Sequence, residues 1–158
     1  MFMIKMLVMD VDGTLTDGKI YIGNNGEIMK AFSAHDAVGV RMLKDYDIIP
    51  VIITGRESEI VKIRAKEMNM DLSFVFQNVS SKLKQLKHIL REKNILPEEV
   101  AYIGDDINDL DCFKICGFTA CPNNAVCEIK KLSTYVSKKD AGDGAVRDII
   151  EYIIQLNE

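Results

Sequence analysis

Met6-Leu7-Val8-Met9-Asp10-Val11-Asp12-Gly13-Thr14 opens on four consecutive apolar residues and breaks off at an acid. A run with no polar alternation suits a strand covered on both faces, as in a parallel sheet. The same pattern returns in Pro50-Val51-Ile52-Ile53 before Thr54 and in Val100-Ala101-Tyr102-Ile103 before Gly104. The greasy segment from Met1 to Met9 is read as a strand. Helical spacing covers Asp36 to Tyr46, Glu57 to Met68, Lys82 to Lys93 behind a Ser80-Ser81 cap, and Asp109 to Cys116. One further strand is expected between Thr54 and Lys82, and two more at Phe118 to Cys121 and Thr134 to Ser137. A last helix, Gly144 to Leu156, puts Val146, Ile149, Ile150, Ile153 and Ile154 on one face. Strand and helix alternate, which predicts a doubly wound, Rossmann-like α/β fold built on a parallel sheet.

One segment interrupts the alternation. Lys19-Ile20-Tyr21-Ile22, a Gly23-Asn24-Asn25-Gly26 turn and Glu27-Ile28-Met29-Lys30-Ala31-Phe32 read as a β-hairpin inserted at 19–32. A lone two-stranded hairpin is marginal in water, so this one needs a surface to lie against, either its own body or another subunit.

The chain has 158 residues, 47% hydrophobic and 28% charged, enough apolar mass for one core. A single domain over 1–158 is expected, and the composition is not that of a disordered chain. The longest apolar runs fall far short of the ~20 residues needed to span a bilayer, which argues against a membrane protein. Lys5 interrupts the N-terminal run and no small-residue cleavage pattern follows it, so it does not read as a signal peptide. With 20 basic and 24 acidic residues in no single-sign block, nucleic acid is not an expected partner. Cys112, Cys116, Cys121 and Cys127 show no CxxC pair and no adjacent histidine, and they read as thiols of a reducing, cytoplasmic compartment. Cys112 and Cys116 stand one helical turn apart, which leaves a thiolate metal site as a minor alternative.

The chemical signal is where the apolar runs stop. Their carboxyl ends carry Asp10 and Asp12, Thr54-Gly55-Arg56, and Gly104-Asp105-Asp106 with Asp109 and Asp111 close behind. In an open α/β sheet this edge is where ligands bind. So many aspartates repel one another unless a cation sits among them, and an all-oxygen donor set favours Mg²⁺ over zinc or copper. Asp10 and Asp12, with Gly13 allowing a sharp turn, suit a division of labour: one carboxylate attacks while its neighbour donates and later accepts a proton. This fits phosphoryl transfer, in which a lysine also helps neutralise the phosphate; Lys82, early in a helix, is the candidate. Thr54 and Gly55 offer a hydroxyl and an unobstructed N–H to phosphate oxygens. An EF-hand is excluded, because the loop opening at Asp10 has Leu15 and Tyr21 where glycine and glutamate are required. A phosphoacceptor receiver domain has no counterpart of the late Asp105–Asp109 cluster.

Asp10-x-Asp12-Gly13-Thr14, Thr54, Lys82 and Gly104-Asp105-Asp106-x-x-Asp109 resemble, in order, the four motifs of the haloacid-dehalogenase-like phosphatases. The resemblance implies that Asp10 is the nucleophile, Asp12 the general acid/base, and Thr54 and Lys82 the phosphate holders. It implies Mg²⁺ on Asp10, Asp105 and the backbone carbonyl of Asp12, with Asp106 and Asp109 supporting the metal or Lys82 from behind. The 42 residues from Asp12 to Thr54 and the 28 from Thr54 to Lys82 leave no room for a cap domain.

The whole chain resembles the 3-deoxy-D-manno-octulosonate 8-phosphate phosphatase group through Asp10 to Gly18, Ile53-Thr54-Gly55-Arg56, Val100 to Asp106 and Gly144-Ala145-Val146-Arg147. That resemblance implies an acidic keto-sugar phosphate as substrate and a homotetramer whose hairpins pack together. It also implies a C-terminal stretch around Ala141 to Gly144 and Arg147 that folds over an active site. Gly55, Arg56, Arg64, His35 and Arg147 are the candidate substrate contacts. His35-Asp36 departs from the Arg-Asp that octulosonate enzymes often carry there. The alternatives are a nonulosonate 9-phosphate phosphatase of sialic-acid-like metabolism, or a non-catalytic oligomerisation module.

Overall fold

The computed structural model describes residues 3–158; Met1 and Phe2, which the N-terminal strand reading touched, lie outside the described residues. The first strand, β1, is Met6–Met9. The others in the main sheet are β4 (Ile49–Ile53), β5 (Val75–Phe76), β6 (Val100–Ile103), β7 (Phe118–Cys121) and β8 (Tyr135–Val136), all parallel, in the order β5-β4-β1-β6-β7-β8. From β1 the chain runs outward to β4 and β5 on one side, then returns to β6, β7 and β8 on the other. Connections that diverge from a central strand open a crevice at its carboxyl end. Asp10 stands there.

Side-chain alternation divides the core into two layers. Leu7 and Met9 face the layer formed with α1 (Ala34–Met42), α2 (Glu59–Glu67) and α6 (Ala145–Asn157). Met6 and Val8 face the layer formed with α3 (Lys82–Lys93), α4 (Leu110–Phe113) and α5 (Cys127–Leu132). Covered on both sides, β1 is wholly buried, which accounts for its unbroken apolar sequence. Gly39 lets α1 approach α6 closely, since a Cβ there would meet the Arg147 backbone.

Helix α3 has the predicted bounds. The Ser81 hydroxyl accepts the Lys84 N–H at its start, and Asn94 ends it in the left-handed conformation. Elsewhere the boundaries tighten. The helix read through Tyr46 becomes α1 followed by a 3₁₀ turn at Leu43–Tyr46, which Asp47 closes at φ 55°. The helix read over Asp109 to Cys116 is a 3₁₀ turn, Ile107–Asp109, followed by α4. Sequence reading missed α5, whose six residues are too few to show a helical period.

The hairpin is β2 (Tyr21–Gly23) paired with β3 (Gly26–Met29), turning through Asn24-Asn25 with Gly26 at φ +107°. The arms are shorter than predicted because the register shifts at Tyr21/Ile22 and Lys30 leaves the ladder to reach Asp12. Ile22, Ile28 and Met29 are exposed, so the apolar side of the hairpin does not pack on its own domain.

Among the described residues, Cys112 and Cys116 belong to no group of three or more potential metal ligands. The thiols are free, and burial pushes both up in pKa, Cys112 to about 12. Among the described residues the group disposed to hold a metal is carboxylate alone. No helix among them is long and apolar enough to cross a membrane.

Asp36, on α1, is 2% exposed. One carboxylate oxygen accepts the Arg147 N–H at 2.9 Å, and Oδ2 has no partner. Burial pushes its pKa up to about 6, against the pull of the Arg147 N–H and the charges of Arg64, His35 and Lys139. The unfolded value is near 3.8. Between these two values the folded state holds the proton more tightly, so the Asp36 contribution to stability falls as pH rises from 4 to 6 and stays low above that. Asp36→Asn removes this term. Relative to the parent, the variant is expected to gain about 2–3 kcal/mol on going from pH 4 to pH 7. Urea midpoints at the two pH values measure it, and parallel shifts in both proteins would contradict it.

Candidate active site

At the end of β1 the chain turns tightly. Val11 O accepts the N–H groups of Thr14, Leu15 and Thr16, and Gly13 takes φ +84°, the left-handed region that glycine enters without strain. Any Cβ on Gly13 would run into the Asp105 carboxylate. This turn brings Asp10, Asp12 and Asp105 round one point. Gly104 makes the corresponding close approach after β6, where a Cβ would collide with Asp109.

Lys82, the first residue of α3, is nearly buried and bridges two acids: Nζ lies 3.0 Å from Asp10 Oδ2 and 2.8 Å from Asp109 Oδ1. Asp109 is fully buried and densely satisfied. It accepts from Lys82, from the Tyr102 hydroxyl at 2.9 Å, and from the N–H groups of Asp105 and Asp106. It therefore fixes Lys82 and the 105–106 turn, while Asp10 Oδ1 accepts the Val11 N–H at 2.7 Å, its Oδ2 faces Lys82, and Asp105 keeps Oδ2 without a hydrogen bond. Thr14 Oγ1 donates to Asp105 Oδ1 at 3.2 Å.

The electrostatics of these acids suit a bound cation. Burial pushes Asp10 up to about 6, aided by Asp109 and opposed by Lys82. Burial, with Asp10 and Asp109 nearby, pushes Asp105 up to about 7. For Lys82, burial disfavours the ammonium, but the two carboxylates outweigh it and raise its pKa. Asp10, Asp105 and Asp109 each offer an oxygen within 4.8 Å of the others, with no imidazole or thiol in the set. A hard divalent cation fits this donor set and would hold Asp10 and Asp105 ionised.

Above the acids lies a cavity of about 320 Å³. Asp10, Asp12, Thr54, Gly55, Arg56, Asp105 and Asp106 line it, so seven of the predicted site residues converge. Lys82 and Asp109 lie beneath, as the contacts above show. Gly18, Ile20 and Asn108 complete the wall, none of them among the predicted site residues.

Three predicted substrate contacts are not brought to this cavity within one chain. Arg64 donates to Ser33 O at 2.9 Å, pairs with Glu67 and covers the Phe32 ring. His35 and Arg147 line a separate hollow with Lys139 and Asp148, and Arg147 pairs with Glu151. The departure at His35 thus falls outside the acidic cavity of its own chain. The glycine-rich segment before α6 packs against the loop beyond Asp12: at Gly142, φ +72°, a Cβ would strike the Thr16–Asp17 backbone.

Sequence reading also missed a group from the hairpin. Lys30 Nζ lies 2.6 Å from Asp12 Oδ1 and 2.9 Å from Glu27 Oε2. Glu27 in turn accepts from Ser58 Oγ at 2.6 Å and faces Arg56 at 3.5 Å. Burial alone would raise the Glu27 pKa, but the Ser58 and Lys30 bonds with the Arg56 charge hold it below the ordinary carboxylate range.

A sequence model of haloacid dehalogenase-like hydrolases matches residues 62–150. The chain is 36% identical over 151 residues to the 3-deoxy-D-manno-octulosonate 8-phosphate phosphatase of Escherichia coli K12, covering 96% of this chain and 79% of that one. The chain belongs to the 3-deoxy-D-manno-octulosonate 8-phosphate phosphatase family. The crystal structure of the Yersinia pestis phosphatase of this family superposes with a TM-score of 0.92 at 36% identity, over 98% of this chain and 82% of that one. The family's Moraxella catarrhalis phosphatase, solved with a magnesium ion, a phosphate ion and a KDO molecule, superposes with a TM-score of 0.91 at 39% identity, over 96% and 86%. The doubly wound architecture expected from the apolar runs is the architecture of this family.

Proposed function

We propose that the chain is a Mg²⁺-dependent phosphomonoesterase that hydrolyses 3-deoxy-D-manno-octulosonate 8-phosphate to KDO and phosphate through an aspartyl-phosphate on Asp10. The observation that carries this reading is the convergence of Asp10, Asp12, Thr54 and Asp105 on one cavity with Lys82 beneath it, in a chain of this family. Asp10 and Asp105, with the carbonyl of Asp12, would hold the Mg²⁺, which supplies charge neutralisation for the incoming phosphate.

A carboxylate oxygen of Asp10 attacks phosphorus as the ester P–O bond breaks. The Asp12 carboxyl gives its proton to the departing alkoxide of the sugar and becomes a carboxylate. Water then gives a proton to Asp12 and its oxygen attacks the phosphorus. The bond to Asp10 breaks, inorganic phosphate leaves, and both acids return to their starting states. Thr54, the Gly55 N–H and Lys82 hold the phosphoryl oxygens, and Arg56, half exposed at the cavity wall, meets the sugar carboxylate.

An open cavity on a capless domain needs cover, and the exposed Ile22, Ile28 and Met29 of the hairpin suit burial against other copies of the chain in a homotetramer. The unpaired cysteines accord with work in the cytoplasm.

The purified protein with Mg²⁺ is expected to hydrolyse the eight-carbon phosphate with a kcat/KM at least about tenfold above that for a nonulosonate 9-phosphate. A tenfold preference corresponds to ~1.4 kcal/mol of differential transition-state binding, within reach of a few contacts to the sugar. Equal values for the two esters would reject the substrate assignment, and an enzyme indifferent to chelator would reject the metal.

A further inference from the structure

We infer that Lys30 is the positioning residue of the acid/base Asp12, supplied by the hairpin and shared with Glu27. The inference rests on the phosphatase reading above and concerns a residue outside the four motifs. Lys30 follows Ile28 and Met29, which are exposed, yet its own side chain is 1% exposed. Burying an ammonium is costly unless its charge is paired and its hydrogen bonds are made. Both conditions are met at two carboxylates, Asp12 Oδ1 at 2.6 Å and Glu27 Oε2 at 2.9 Å.

The geometry fixes one oxygen of Asp12 and leaves the other for chemistry. Among the described residues the Lys30 bond is the only side-chain hydrogen bond that Asp12 makes, and it takes Oδ1. Oδ2, 4.0 Å from Arg56 Nε, is left to exchange protons at the cavity. Lys30 is itself held, because Ser58 donates to the other oxygen of Glu27 and Arg56 faces the shared Oε2 at 3.5 Å. The chain Ser58–Glu27–Lys30–Asp12 thus ties the acid/base to the end of β3 and to the start of α2. Without Lys30, the Asp12 side chain keeps only the longer Arg56 pair at 4.0 Å to orient it, and a displacement of about 1 Å at a reacting group costs on the order of 100-fold in rate.

A positioning role for the proton donor has a signature that an architectural role lacks. Departure of a sugar alkoxide needs a proton in the transition state, whereas p-nitrophenolate leaves without one. In Lys30→Met, kcat/KM for 3-deoxy-D-manno-octulosonate 8-phosphate is expected to fall about 100-fold and that for p-nitrophenyl phosphate by less than tenfold. Lys30→Gln, which keeps a polar group in the buried site, gives the same reading if the methionine variant fails to fold. Equal losses on both esters, or no loss, would overturn the inference. Loss of the fold in both variants would overturn it too, marking Lys30 as an anchor of the hairpin. A parent protein inactive on both esters would instead fault the phosphatase reading.

Discussion

Asp10→Asn is expected to lower kcat on 3-deoxy-D-manno-octulosonate 8-phosphate by about four orders of magnitude or more, with the fold intact. The amide has the shape of the carboxylate but no charge with which to attack phosphorus. Stability should change little, for two opposing reasons. The carboxylate is buried and repelled by Asp109, which raises its pKa to about 6, so losing its charge removes a penalty at neutral pH. Against this, Lys82 loses one of its two carboxylate contacts while keeping Asp109 at 2.8 Å. Steady-state phosphate release and thermal unfolding check the two halves separately. Turnover near that of the parent would eliminate the covalent route through Asp10.

The elements read from sequence alone were those whose residues answer to one simple constraint. A strand buried on both faces is expected to be apolar, as β1 is, and β6 and β7 depart from this only at Tyr102 and Thr119. A helix with a serine cap and one apolar stripe, such as α3, shows its own bounds. The acids at strand ends were legible because the topology of an open sheet gathers carboxyl ends at one edge. Tyr102 and Lys30 were not legible, each for a different reason. Tyr102 sits in an apolar strand and reads as core; only its contact with Asp109 shows the hydroxyl fixing a charged group. Lys30 follows two exposed apolar residues, and nothing in the order Ile28-Met29-Lys30 says that the chain there turns inward to Asp12. His35 and Arg147 were proposed from the family resemblance and Arg64 from its place on the helix after Arg56; within their own chain they lie away from the acidic cavity, with Arg64 held by Ser33 and Glu67 and Arg147 by Glu151.

Lys82→Met should combine the largest loss of stability with a loss of activity that has a character of its own. Lys82 is buried between Asp10 and Asp109, and removing one member of such a cluster leaves the others as uncompensated charge; about 3 kcal/mol is the expected cost. Asp109 still accepts from Tyr102 and two backbone N–H groups, so the cost falls chiefly on Asp10. Urea unfolding in chelator, where no cation substitutes for the ammonium, measures it. Activity is expected to fall about 1,000-fold, as when a donor aimed at developing phosphoryl charge is removed. Because Lys82 acts on the phosphoryl group and not on the leaving oxygen, the loss should be the same for the sugar phosphate and for p-nitrophenyl phosphate. The two lysines are thereby separable. Lys82→Met scales both esters together and Lys30→Met parts them, because one ammonium faces the group being transferred and the other holds the acid that releases the alcohol.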